Sequence, residues 1–168
     1  TGGRRPGDVR PVAQRHGPPV NEGRRLVLFV CVENAGRSLM AEAMFNAAPP
    51  PGWRARSAGT RPAAAANPRT AAMLAEVGLR APDHPPRALN PKDLEAAEVR
   101  ITMGCLDDAS CPARLKALQY RDWGLADPAR LDDAGFRRVR DELALRVRDL
   151  IEELRSGRPD APPGRPAP

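Results

Sequence analysis

The longest uninterrupted apolar run, Leu26-Val27-Leu28-Phe29-Val30-Cys31-Val32, reads over Leu26 to Val30 as a strand buried on both faces of a parallel sheet. The pattern then breaks into Cys31-Val-Glu-Asn-Ala-Gly-Arg37, a polar stretch in which Asn34 and Gly36 tolerate unusual backbone angles. From Ser38 the sequence Ser-Leu-Met-Ala-Glu-Ala-Met-Phe-Asn-Ala-Ala is strong helix material, with Ser38 placed to cap it. Trp53 to Ser57 predicts a second strand, ended by Ala58-Gly59-Thr60, and Asn67-Pro68 opens a helix that runs to about Val77 and stops at Gly78. Pro91 to Glu95 predicts one helical turn or two, Val99 to Met103 a third strand ending at Gly104-Cys105, and Gln119 to Asp122 a weak fourth. Residues 132–155 form the clearest helix, with Phe136, Val139, Leu143, Val147, Leu150 and Leu154 on one stripe. Strands and helices alternate and no internal repeat interrupts them. The expected fold is α/β: a doubly wound, four-stranded parallel sheet with helices on both faces, its functional site at the carboxyl ends of the strands.

Composition locates the edges of that domain. The 168 residues suit a single domain. The 20 Pro and 14 Gly make about 20% of the chain, against roughly 12% in an average protein. They crowd into residues 1–24 and 156–168, which are expected to be disordered tails around a folded domain at 25–155. The tails also carry +3 and +1 of the formal net charge of +6, leaving +2 for the domain. A specific nucleic-acid face needs clustered cations with stacking aromatics, and aromatics are only 4% here, so no such partner is expected. A basic arm that touches polyanions stays open. No apolar run approaches the ~20 residues of a membrane span, and the N-terminal stretch lacks a signal-peptide core, so the expected address is cytoplasmic with no membrane partner. Three cysteines, an odd count in a chain large enough to bury a core, favour thiol chemistry over a disulfide framework.

Chemistry enters at the loop after the first strand. Cys31 and Arg37 stand six apart with a helix beginning straight afterwards, so the backbone N–H groups of Val32, Glu33, Asn34, Ala35, Gly36 and Arg37 and the helix N-terminus can converge on one tetrahedral oxyanion. Arg37 is suited to grip two of its oxygens, and the same positive field lowers the thiol pKa, with Ser38 able to donate to the sulfur. The implied chemistry is nucleophilic attack on phosphorus or arsenic. The bland alternative is that Cys31 is a small buried hydrophobe closing a core strand. Gly104-Cys105-Leu-Asp-Asp-Ala-Ser-Cys111-Pro112 puts two more thiols at a strand's carboxyl end, which suggests a thiolate relay if they are not incidental. Zinc fits poorly, since Cys-x5-Cys lacks the usual ligand spacing. Asp127, fixed before Pro128 on another loop of the same rim, is either turn chemistry or a general acid for a leaving oxygen.

These residues resemble the low-molecular-weight tyrosine phosphatase fold, and within it the thioredoxin-coupled arsenate reductases. Val-Leu-Phe-Val-Cys31-Val-Glu-Asn-Ala-Gly-Arg37-Ser38 is similar to the family's anion loop, Arg56-Ser57-Ala58-Gly59-Thr60 to its second-strand turn, Trp123-Gly-Leu-Ala-Asp127-Pro128-Ala129 to its acid loop, and Phe136-Arg-Arg-Val-Arg-Asp-Glu142 to the start of its last helix. The resemblance implies that Cys31 attacks arsenate with Asp127 assisting loss of water. Cys105 then attacks Cys31 and releases arsenite, and Cys111 attacks Cys105 to leave a Cys105–Cys111 disulfide for thioredoxin. Arsenate, with phosphate or sulfate as analogue, and thioredoxin are therefore the implied partners, and no cofactor is implied. A phosphatase of the same fold, with Tyr120 or Trp123 on a phosphotyrosine ring, is the alternative, as is a reductase that draws on a small thiol such as mycothiol. A non-enzymatic thiol module is the reading from a different class. Two departures stand out. Leu39 replaces the family's usual Gln, and Arg87 stands where a carboxylate is expected shortly after His84 in a potassium site otherwise matched by Asn34, Glu42 and Ser57. No metal is assigned.

Overall fold

The computed structural model describes residues 25–104 and 113–157. The expected tails, apart from Ser156 and Gly157, and the segment holding Cys105 and Cys111 lie outside the described residues. In chain order the elements are β1 (Arg25–Cys31), α1 (Arg37–Ala47), β2 (Trp53–Gly59), α2 (Pro68–Ala75), α3 (Pro91–Ala96), β3 (Val99–Thr102), α4 (Ala113–Ala117), β4 (Arg121–Asp122), a 3-10 turn (Pro128–Arg130) and α5 (Asp133–Arg155).

The four strands form one sheet in the order β2-β1-β3-β4, every neighbouring pair parallel. β1 lies inside it, which is why Leu26 to Cys31 are all buried and the sequence runs apolar without alternation. Its side chains nevertheless divide by the strand's period of two. Val27, Phe29 and Cys31 join one core with α1, α2 and α5, and Leu26, Leu28 and Val30 join a second with Leu94 and Ala97 around α3 and Leu115 of α4. Helices thus cover both faces, as expected. The α5 stripe from Phe136 to Leu154 is buried throughout.

The turn chemistry works largely as predicted. The Asn67 side chain accepts from the Arg69 N–H at the start of α2, Asn90 accepts from Lys92 at the start of α3, and Asp132 accepts from Gly135 at the start of α5. α2 ends at Ala75, two residues before the predicted Val77. Gly78 takes φ of 76° while the Leu79 N–H reaches back 3.0 Å to the Leu74 carbonyl, a left-handed helix stop that glycine adopts without strain. β3 is one residue shorter than predicted and β4 two residues shorter. α4 and the 3-10 turn were not foreseen, because five-residue and three-residue turns are too brief to show a hydrophobic period.

One expectation near Cys31 needs correction. Ser38 does not cap α1: the helix starts at Arg37, Gly36 occupies the cap position, and no side chain bonds there. The Ser38 hydroxyl is turned toward the sulfur of Cys31 instead. Both loop residues expected to take unusual backbone angles do so, Gly36 at φ −141° and ψ −87°, outside the helical and extended regions, and Asn34 in the left-handed region at φ 51°.

Candidate active site

The loop from Cys31 to Gly36 is held from outside by its carbonyls. Those of Cys31, Val32 and Glu33 accept from the N–H groups of Thr60, Arg61 and Ala63, and that of Ala35 accepts from both the Asn67 N–H and the Thr70 hydroxyl. In a planar trans peptide the N–H points opposite to the carbonyl it shares a plane with. Tying four carbonyls outward therefore turns the N–H groups of Val32, Glu33, Asn34 and Gly36 the other way. The Asn34 N–H reaches Cys31 Sγ at 3.2 Å. The Ser38 hydroxyl lies 2.8 Å from the same sulfur, a hydrogen bond that either group can donate, and Asn34 Nδ2 donates to the Ser38 oxygen at 2.7 Å. Cys31, Asn34 and Ser38 are all buried.

Gly59, at the end of β2, is what lets this loop sit against the sheet. A Cβ there would lie 2.6 Å from the Val32 carbonyl oxygen and 3.0 Å from the Asn34 nitrogen. Gly104 plays the same part at the end of β3, where φ is 79° and a Cβ would come within 2.7 Å of Gly124.

The loop forms the floor of a cavity of about 290 Å³. Arg37, the first residue of α1, is buried and lines the same cavity, with Nη1 donating at 2.8 Å to the carbonyls of both Met103 and Leu125. Two carbonyls from the ends of neighbouring segments fix the plane of the guanidinium. Asp127 lines the wall and caps the 3-10 turn, accepting from the Ala129 N–H at 3.0 Å. Asp127 thus makes the Asp-Pro turn and lines the cavity at once. Arg61 and Arg130, two exposed cations that sequence reasoning did not single out, stand at the mouth together with the exposed Glu33. No local pattern marks them in a chain so rich in arginine.

Of the predicted site residues, Cys31, Arg37, Ser38, Asp127 and the loop come together. Cys105 and Cys111 lie outside the described residues, although Cys105 directly follows Gly104. Trp123, named with Tyr120 for a phosphotyrosine ring, packs against Phe29 with ring centroids 5.7 Å apart, and neither residue is among the described residues lining the cavity.

Behind the loop, Glu42 of α1 is buried, with its carboxylate accepting from the Ser57 hydroxyl, from His84 Nε2 at 3.0 Å and from Arg87 Nη2 at 3.2 Å. Arg87 Nε donates to the Ser57 carbonyl at 2.9 Å, and its backbone N–H donates to Asn34 Oδ1 at 3.0 Å. Burial pushes the Arg87 guanidinium below its ordinary pKa, and the Glu42 charge works in the opposite direction. Asn34, Glu42 and Ser57 are the residues that the resemblance assigned to potassium. The Arg87 guanidinium already sits on Glu42 and Ser57, and its backbone N–H occupies Asn34 Oδ1, so a further cation would meet like charge there and the group does not fit. Among the described residues no cluster of three or more His, Cys, Asp or Glu is placed to hold a metal.

Comparison with known proteins agrees with this geometry. Arsenate reductase 1 of Staphylococcus epidermidis is 32% identical over 131 residues, which are 78% of this chain and 98% of the relative. The solved thioredoxin-dependent arsenate reductase of Corynebacterium glutamicum matches with 32% identity and a TM-score of 0.67, over 82% of this chain and 65% of that one. A low molecular weight protein tyrosine phosphatase from T. tengcongensis matches with 28% identity and a TM-score of 0.63, over 77% and 99% of the two chains. Residues 26–159 also match the family model for low molecular weight phosphotyrosine protein phosphatases. With its cysteine loop at the end of β1, its buried arginine at the head of α1 and its aspartate lining the same cavity, this chain belongs to the low molecular weight phosphotyrosine protein phosphatase family.

Proposed function

We propose that the protein reduces arsenate to arsenite, with Cys31 as the nucleophile. The observation that carries the reading is the setting of Cys31 Sγ: two hydrogen-bond partners at 2.8 and 3.2 Å, a floor of loop N–H groups, and Arg37 and Asp127 in the same cavity. Hydrogen bonds to the sulfur and a guanidinium in the same cavity aim it at the bound oxyanion. The thiolate attacks arsenic(V), while loop N–H groups and the guanidinium of Arg37 take up the negative charge on the oxygens. Asp127 gives its proton to the departing oxygen, which leaves as water. A sulfur–arsenic(V) adduct on Cys31 remains.

The second half uses the two distal thiols. Cys105 attacks the Cys31 sulfur, the electron pair of the sulfur–arsenic bond stays on arsenic, and arsenite leaves as arsenic(III). Cys111 then attacks Cys105, which frees Cys31 and moves the disulfide to the Cys105–Cys111 pair, where the dithiol of thioredoxin reduces it. The sequence placement of Cys105 three residues past Thr102, on the strand paired with β1, supports this order. So do the names of the relatives, arsenate reductases among them, one of them thioredoxin-dependent.

The test is arsenate-dependent NADPH oxidation with thioredoxin and its reductase, beside p-nitrophenyl phosphate hydrolysis on the same preparation. The expected outcome is turnover that drops at least a hundredfold in Cys105→Ser and in Cys111→Ser, with hydrolysis unaffected by either. Wild-type rates in both variants would remove the relay, and turnover supported by mycothiol alone would replace the donor. The likeness to a tyrosine phosphatase keeps hydrolysis as a second reading. In that case water attacks a phosphorylated Cys31, and hydrolysis proceeds with no arsenate turnover at all.

A further inference from the structure

Arg87 lies 53 positions from Asn34 in sequence yet touches three segments of the site. Its neighbours are pinned to the end of β2, with the Gly59 N–H donating to the Arg87 carbonyl at 2.8 Å and the Leu89 N–H to the Gly59 carbonyl at 2.9 Å. Its guanidinium joins the Glu42 carboxylate to the Ser57 carbonyl, and its backbone N–H holds Asn34 Oδ1. That last bond sets a direction. An N–H can only donate, so the oxygen of the Asn34 amide must face Arg87, and Nδ2 must face Ser38. The Ser38 oxygen then receives a proton from Nδ2, and its own hydroxyl proton is free to point at Cys31 Sγ. Every link is 3.2 Å or shorter.

We infer that Arg87 is a positioning residue and a built-in cation. Clamped on Glu42 and Ser57 where the resemblance placed potassium, it holds the segment whose N–H orients Asn34, and through Asn34 and Ser38 it keeps Cys31 reactive. This rests on Cys31 being the nucleophile, and on no particular substrate. The charged groups that share the cavity with Cys31 are Arg37, Arg61, Arg130, Asp127 and Glu33, with Glu42 and His84 behind the loop. The Arg87 side chain bonds Ser57 and Glu42, which are not among those five cavity groups.

The experiment follows alkylation of Cys31 by iodoacetamide across pH, in protein whose Cys105 and Cys111 are serines so that one thiol remains, comparing Arg87, Arg87→Lys and Arg87→Ala. Loss of the clamp is expected to raise the midpoint of the profile by about one pH unit and slow alkylation at pH 7 by about tenfold. Arg87→Lys is expected to restore most of the rate, as are millimolar guanidinium or potassium added to Arg87→Ala but not sodium at equal ionic strength. The Arg87 protein should respond to none of these salts. Overlapping profiles for Arg87 and Arg87→Ala would overturn the proposal, even if Arg87→Ala melts earlier. If Arg87→Ala does not fold, an unchanged profile in Arg87→Met would overturn it equally. Alkylation requires no arsenate chemistry, so a failed reductase assay would remove the proposed function and leave this result intact.

Discussion

The cysteine at the end of β1 sits where it does because of what a few single residues permit around it. Asn34 holds a left-handed backbone that most side chains resist, and it can do so because both ends of its amide are bonded. Gly59 is equally specific, since any Cβ would drive into the Val32 carbonyl and the Asn34 nitrogen. Gly59→Ala is expected to lower stability by about 1–3 kcal/mol, the usual range for overpacking. It should also cut alkylation of Cys31, because the backbone that must yield is the anion loop itself. Denaturant melts together with the alkylation rate check this; a stability loss with an untouched thiol would show that the loop does not shift. At this scale the sequence was informative about types and silent about partners. Cys31, Arg37 and Asp127 were legible because strand-end position and neighbouring Gly, Ser and Pro mark them locally. The inward turn of Ser38 was misread as a cap because the same residue type serves both purposes, and only the position of the Cys31 sulfur distinguishes them.

Between elements, α5 was the most legible part of the chain and its attachment to α2 the least. The apolar stripe predicts that one face is buried, and it is. It does not predict that Glu76, at the end of α2, accepts from Arg137 Nη2 at 2.8 Å and from Arg140 Nη1 at 2.6 Å. Those two guanidinium groups hold the Glu76 carboxyl down to about 2 from an ordinary 4.5. A carboxyl whose folded pKa is depressed contributes stability above its unfolded pKa and loses it as pH falls through the folded value. The window therefore runs from about pH 4.5 down to about 2. Glu76→Gln is expected to lower the melting temperature at pH 7, with the gap from wild type closing across that window. A gap of constant size in melts between pH 7 and 2 would mean that packing, and not the ion pairs, joins the helices.

Across the whole molecule, the formal net charge of +6 says little, because the expected tails hold +4 of it. What matters is where the remaining charge meets the cavity. Arg61, Arg130 and Glu33 line the cavity and are all exposed, so their expected effect is a field on an approaching oxyanion. Arg61→Gln and Arg130→Gln are each expected to weaken inorganic phosphate binding by about two- to fivefold, and Glu33→Gln to tighten it by a similar factor. All three effects should fade toward one as salt is raised from low ionic strength to 1 M, where the Debye length is about 3 Å. Calorimetric titration of phosphate into the reduced protein reads this directly. Effects of one sign for all three variants, or effects indifferent to salt, would mean local disruption instead of a field. None of the described helices is long and apolar enough to cross a membrane.

The sequence by itself determined the architecture and the place of the candidate site, because both are written in short-range signals. A continuous apolar run requires burial on both faces, a polar loop between strand and helix exposes backbone donors, and a cysteine and an arginine six apart at that junction line one cavity. Tertiary structure alone decided what holds the loop in its observed form. The carbonyls of the anion loop are tied by residues 60 to 70, the guanidinium of Arg37 is aimed by Met103 and Leu125, and Asn34 is oriented by the backbone of Arg87. None of these bonds has a sequence period, since a backbone carbonyl or N–H is offered by almost every residue, and only the path of the folded chain selects which one arrives.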